Sequence, residues 1–230
     1  MTQDSFKSID EYLKKAVANK LRELISSVLT EELEDQDWME VLSDLTNAQN
    51  KVNKFATGQI ASRIMQFKGE SGDPDFHFVA SPISGIANAI ALPIQYIDDD
   101  GTDITAIANF PNQYEGPPTC VHGGIIASVF DEVLGAANSR HGRPGLTGTL
   151  KVKYKSPTPL NKDLIIKSRV KDISDRKVTT EGEIYYDGNL TAKAEGLFIS
   201  VDPEKFLNIA RNHAGEEAVE LLKKQWGPAE

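Results

Sequence analysis

One segment constrains the fold of this chain more than any other. Residues 123–139 read as a helix that is apolar nearly all round, with Asp131 and Glu132 its only charges. Such a helix has to be covered on most of its surface. The chain after it supplies the cover. Leu150, Val152 and Tyr154 alternate with Lys151, Lys153 and Lys155, one face in and one face out. Leu164 to Ile173 and Val178 to Tyr186 form the next strand pair, turning at Ser174-Asp175-Arg176. Asp187-Gly188 is a hairpin signal that leads into Leu190 to Val201. Upstream, Leu92 to Ile97 and Asp103 to Asn109 are strands around the turn Asp98-Asp99-Asp100-Gly101. A sheet must bury its apolar face on something, and this helix is the element available. The expected class is α+β, an antiparallel sheet wrapped around a central helix.

The flanks have a different character. Ile9, Leu13, Val17, Leu21, Leu24 and Val28 follow a three-to-four spacing, as do Trp38, Val41, Leu45, Ala48, Val52 and Phe55. Residues 1–67 therefore read as two or three helices, with Gly58 an interruption and 69–75 a loop. Asp202-Pro203 opens a C-terminal helix to about Trp226, with Pro at a first helical position where its missing N–H does no harm. The expected organisation is a helical extension and linker over 1–75, the main domain over 76–201 and a closing helix over 202–230.

Composition limits the function classes. With 40% apolar and 26% charged residues the chain falls in the globular range, so wholesale disorder is not expected. No run of eighteen apolar residues occurs, and charges recur through the first thirty residues, which argues against a membrane span or secretory signal. The single cysteine, Cys120, cannot form an internal disulfide, and no Cys/His cluster has metal-ligand spacing. A cytoplasmic protein without cofactor or metal is the expectation. The net charge of −9 argues against nucleic-acid binding. Yet Arg140 to Lys177 holds eleven Lys or Arg against three acids. Those cations are either outward-facing strand positions or a docking surface for a phosphorylated molecule such as coenzyme A.

The chemistry concentrates at the start of the central helix. Val121-His122-Gly123-Gly124 opens it, and Asp131 follows nine residues after His122. A helix start leaves unpaired N–H groups and a partial positive charge. Two glycines there let a ligand oxygen approach the backbone, which makes an oxyanion hole. A carboxylate on a greasy helix is costly to bury unless it is hydrogen-bonded or has a task. Gly124, Ser128, Asp131 and Gly135 share one face, small and polar, along which a cleft could pass. The plainer reading makes Asp131 a carboxylate satisfied by a strand hydroxyl and His122 structural.

The stretch Tyr114-Glu115-Gly116-Pro117-Pro118-Thr119-Cys120-Val121-His122-Gly123-Gly124, followed by Asp131-Glu132, resembles the signature of hot-dog fold thioesterases, the phenylacetate-pathway (PaaI-like) and acyl-CoA-preferring groups among them. The likeness runs on through Gly142 to Thr147 and Val152 to Leu160, and ends near Phe198. It implies hydrolysis of a medium- or long-chain fatty, or aryl, acyl-CoA. Gly123, together with Gly124, would supply the oxyanion N–H, and His122 would shape the turn. Asp131 would attack the carbonyl or activate water, and Thr147 would position it. The resemblance also implies a homo-oligomer, dimer or dimer of dimers, in which Asp131 of one subunit meets Gly123 of another. Arg143, Lys153, Lys155, Arg176 and Lys177 are the candidates for the coenzyme A phosphates, and Ser128 for the acyl channel. One departure stands out. Some relatives carry an asparagine six residues before the histidine, where this chain has Gly116; Asn112 or Gln113 would substitute, or the group is absent. The alternatives are a non-catalytic acyl-CoA-binding or regulatory protein, and an enoyl-thioester hydratase or dehydratase of the same fold.

Overall fold

In the computed structural model, residues 9–55, 81–97, 103–142 and 145–200 are described, with 202, 204, 205, 207, 208, 211, 212, 215, 216, 219 and 220 beyond them. The order is α1 (Ile9–Thr30), α2 (Asp35–Asn53), β1 (Ile94–Ile97), β2 (Ile104–Asn109), a 3-10 turn at Asn112–Tyr114, α3 (Gly123–Arg140), β3 (Gly145–Tyr154), β4 (Asp163–Ser174), β5 (Lys177–Tyr186) and β6 (Asn189–Ser200). The six strands form one sheet in the order β1-β2-β4-β5-β6-β3, and every neighbouring pair is antiparallel. The β5–β6 hairpin closes at Asp187 and Gly188, both at positive φ. That geometry matches the sheet's own twist, which is why Asp-Gly marks the turn. The expected interruption at Gly58, the loop at 69–75 and the turn at 98–101 lie outside the described residues.

The sheet wraps α3 through its alternating positions. Ala106 and Ala108 of β2, Leu164 and Ile166 of β4, Val178 and Ile184 of β5, and Ala192, Ala194 and Phe198 of β6 are all buried. They meet Ile126, Val129, Phe130, Val133, Leu134 and Ala137 of α3 in one cluster. Each large side chain buried this way stabilises the fold by about 1.5–3 kcal/mol. Two glycines let the helix lie close to the sheet. A Cβ on Gly182 or on Gly196 would stand 3.1 Å from Leu134 of the helix.

A polar tie crosses the same interface, where the buried Ser168 hydroxyl donates to the Val133 carbonyl at 2.8 Å. Replacing Ser168 by Ala is expected to cost about 1 kcal/mol, since the helix retains its own bonds and a single neutral hydrogen bond is lost. Urea unfolding would show this as a lower midpoint at constant slope, and an unchanged midpoint would contradict it.

The N-terminal helices form as their periodicity predicts, but their apolar stripes do not face the domain. Among the described side chains of α1 the buried one is Ala18, while Leu13, Val17, Leu21 and Val28 are exposed. Arg22 donates to the Asn88 carbonyl, and the helix rests against the 3-10 turn. No residue of α2 is buried. At the other end, the described residues from 204 to 220 are helical, and the Asp202 carboxylate caps their start by accepting from the Glu204 N–H at 2.9 Å. Among the described residues no helix is long and apolar enough to cross a membrane, and no group of three or more His, Cys, Asp or Glu could hold a metal ion.

Candidate active site

The start of α3 is held between two loops. The Val121 N–H donates to the Thr158 carbonyl at 2.8 Å and the His122 N–H to the Tyr114 carbonyl at 2.9 Å. Thr119 adopts a positive φ of 66° where the loop turns into this segment. Gly116 packs so closely on the helix start that a Cβ there would stand 2.7 Å from the His122 Cα. An asparagine at 116 would therefore need the backbone to move. The two expected substitutes stand in the loop before the helix. Asn112 accepts from Asn161 at 2.7 Å, and it lines with Gln113 a separate surface cleft against Leu29 and Leu160.

His122 is the N-cap of α3, and its Nδ1 accepts from the Gly124 N–H at 3.0 Å. That bond requires a bare Nδ1 and commits the Gly124 N–H. Among the described residues no acceptor meets the N–H of Gly123. Of the two expected donors, the geometry leaves Gly123 open and Gly124 engaged. The glycines also make room for side chains: a Cβ on Gly123 would meet the Tyr154 hydroxyl at 3.3 Å, and one on Gly124 would meet the His122 ring at 3.1 Å. Tyr154, from β3, donates its hydroxyl to the Gly123 carbonyl at 2.8 Å.

Asp131 departs from the sequence reading. It is exposed in the single chain rather than buried; of the residues on its face of α3, Gly124 is exposed as well, Ser128 is half-buried, and Gly135 lies against the Phe198 ring of the sheet. The Thr147 hydroxyl donates to its Oδ1 at 2.8 Å, which brings this expected pair together. The Ser128 hydroxyl is spent on the Gly124 carbonyl of its own helix at 3.0 Å. The more enclosed carboxyl is Glu132, whose burial raises it above its ordinary range, with the Asp131 charge acting in the same direction.

A β-bulge produces the Thr147 contact. Leu150, opposite Gly196, and Val152, opposite Ala194, face the helix, as their alternation predicts. Strict alternation would turn Thr147 outward. The register shifts between Thr147 and Thr149, so Thr147 stands opposite the inward Phe198. One extra residue, Gly148, reverses the parity and re-aims the hydroxyl at α3. The glycine in the strand was the available sign of it.

The basic candidates are not gathered around Asp131 within one chain. Lys153 lies opposite Lys193 on the outer face of the sheet, and Lys155 follows the end of β3. Arg176 and Lys177 sit at the turn between β4 and β5. Arg143 is outside the described residues.

Comparison with known proteins bears on this arrangement. The family model of the thioesterase superfamily matches residues 119–193, the stretch that carries His122, Gly123, Asp131, Thr147 and Tyr154. Acyl-coenzyme A thioesterase THEM4 of Xenopus laevis is 41% identical over 96 residues, which span 40% of this chain and 43% of that protein. The match therefore covers less than half of the length of that relative. Acyl-coenzyme A thioesterase THEM4 of Mus musculus is 27% identical over 176 residues, 75% of this chain and 73% of that one. The crystal structure of a thioesterase superfamily protein aligns with a TM-score of 0.71 and 26% identity, covering 81% of this chain and 94% of that chain. With a six-stranded antiparallel sheet wrapped on one helix, the chain has the hot-dog fold, and its residues 119–193 match the thioesterase superfamily.

Proposed function

We propose that this chain is an acyl-CoA thioesterase whose active site forms between two copies of itself. The observation that carries the reading is the placement of two groups on one helix. The Gly123 N–H opens α3 without a partner among the described residues, and the exposed Asp131 has one oxygen held by Thr147. Nine residues of helix separate His122 from Asp131, about 13 Å at 1.5 Å per residue. A single carbonyl cannot touch both ends of that span. A two-fold axis that sets two α3 helices against each other brings Asp131 of one copy to Gly123 of the other, twice over. The exposed stripes on α1 and α2 support the same assembly, because they leave apolar surface that a second copy can cover.

The chemistry follows from those two groups. The thioester carbonyl oxygen accepts from the Gly123 N–H, reinforced by the positive end of the helix. Asp131, oriented by Thr147, takes a proton from water as the water oxygen adds to the carbonyl carbon, or adds to that carbon itself to give an anhydride that water then opens. The C–S bond breaks, the thiolate of coenzyme A recovers a proton, and a carboxylic acid remains. The register places Arg176 and Lys177 at the Thr147 end of the sheet and Lys153 and Lys155 at the Tyr154 end. These cations are the candidates to meet the phosphates from outside the acyl site.

The test is release of free thiol from coenzyme A esters of acyl chains from acetyl to palmitoyl, with an aryl ester alongside. Release well above the uncatalysed rate is expected for at least one chain length. Tight binding of the whole series without release would overturn the enzymatic reading in favour of an acyl-CoA-binding protein.

A further inference from the structure

We infer that Tyr154 is a positioning residue of this site, fixing the Gly123–Gly124 peptide that adjoins the oxyanion donor and so the backbone angles at Gly123 that aim its N–H; the inference rests on the thioesterase reading above. The Gly123–Gly124 peptide is gripped at both polar ends by side chains. Its carbonyl accepts from the Tyr154 hydroxyl at 2.8 Å, and its N–H donates to His122 Nδ1 at 3.0 Å. Glycine gives a backbone more conformational freedom than any other residue, and two glycines in sequence open a helix loosely. An oxyanion hole needs the opposite, because a donor that must reorient during the reaction loses most of its advantage. Tyr154 and His122 together supply the rigidity that Gly-Gly lacks.

The position of Tyr154 in the fold points the same way. It ends β3, the edge strand of the sheet, and its residue is 55% exposed. A ring so open adds little to the core, so its hydroxyl is its principal tie. The same strand carries Thr147 seven residues earlier, bonded to Asp131. Each end of β3 is therefore fastened to α3 at one of the two groups the chemistry uses. The strand sets the spacing between carboxylate and helix start. Through the two-fold axis it sets how Asp131 of one copy meets Gly123 of the other.

Tyr154→Phe keeps the ring and removes the hydroxyl. The expected result with the best acyl-CoA is a kcat lower by about tenfold, the scale of one neutral hydrogen bond. KM should stay within about twofold and the unfolding midpoint should be unchanged, while the Gly124 amide resonance shifts in a 15N spectrum of the full chain. 4-Aminophenylalanine at 154 restores a donor on the same ring and should recover most of the loss, which a role in packing alone would not allow. An unchanged kcat in Tyr154→Phe, or a loss accompanied by a fall in the unfolding midpoint and not recovered by the amine, overturns the inference and leaves the thioesterase reading standing. Absence of thiol release by the unaltered protein fells the thioesterase reading, and the inference with it.

Discussion

Asp131→Asn is expected to lower kcat for acyl-CoA hydrolysis by about 100-fold or more while the fold stays intact. Asparagine has nearly the same shape, and its side-chain carbonyl can still accept from the Thr147 hydroxyl that now meets Oδ1 at 2.8 Å. Because Asp131 is exposed in the single chain, the substitution leaves no buried group without a partner, so the unfolding midpoint should move little. What disappears is the negative charge. An amide neither accepts a proton from water nor attacks a carbonyl. The measurement is thiol release beside a thermal melt followed by circular dichroism. Equal turnover in the two proteins would remove Asp131 from the mechanism, whichever of its two roles is considered.

The second large effect concerns the assembly. Gly123→Pro deletes the proposed oxyanion donor at the first helical position, where proline is well accommodated. His122, at φ −59° and ψ 135°, already has the extended conformation that a following proline favours. Loss of one such donor should lower kcat by about 100-fold. Each variant alone is therefore nearly inactive. Mixed oligomers behave differently if the site is shared across a two-fold axis. In a dimer of Asp131→Asn with Gly123→Pro, one site carries both defects and the other carries neither. Random reassociation makes about half of the dimers mixed, each with one intact site, so activity should return to about a quarter of the unaltered level. Refolding the variants together and assaying against each refolded alone measures this. No recovery on mixing would show that both groups act within one chain and would defeat the interface site.

Much of the architecture was legible because it depends on local periodicity. The alternation of Leu150, Val152 and Tyr154 with lysines marks a half-buried strand wherever it occurs, and the register opposite β6 agrees with it. Asp187-Gly188 marks a tight hairpin because both residues must take positive φ. The helix from Gly123 is equally plain, since an all-round apolar segment of that length has to be enclosed. The α1 stripe shows the limit of such reasoning. Its period predicts a helix correctly, but period alone does not name the surface it meets, and the described structure seats Ala18 rather than Leu13 or Val17 against the domain.

What the sequence by itself determined is the element pattern, the sheet around a central helix, and the motif at His122-Gly123-Gly124 with its distant Asp131. Those follow from interactions between residues close along the chain. Tertiary structure alone decided which way the functional groups face. The bulge at Gly148 turns Thr147 onto Asp131 against strict alternation, and the end of the same strand brings Tyr154 to Gly123. It also exposed Asp131 while enclosing Glu132. Each of these depends on strand parity and on which side of the helix the sheet leaves uncovered, properties set by pairing between segments remote in the chain.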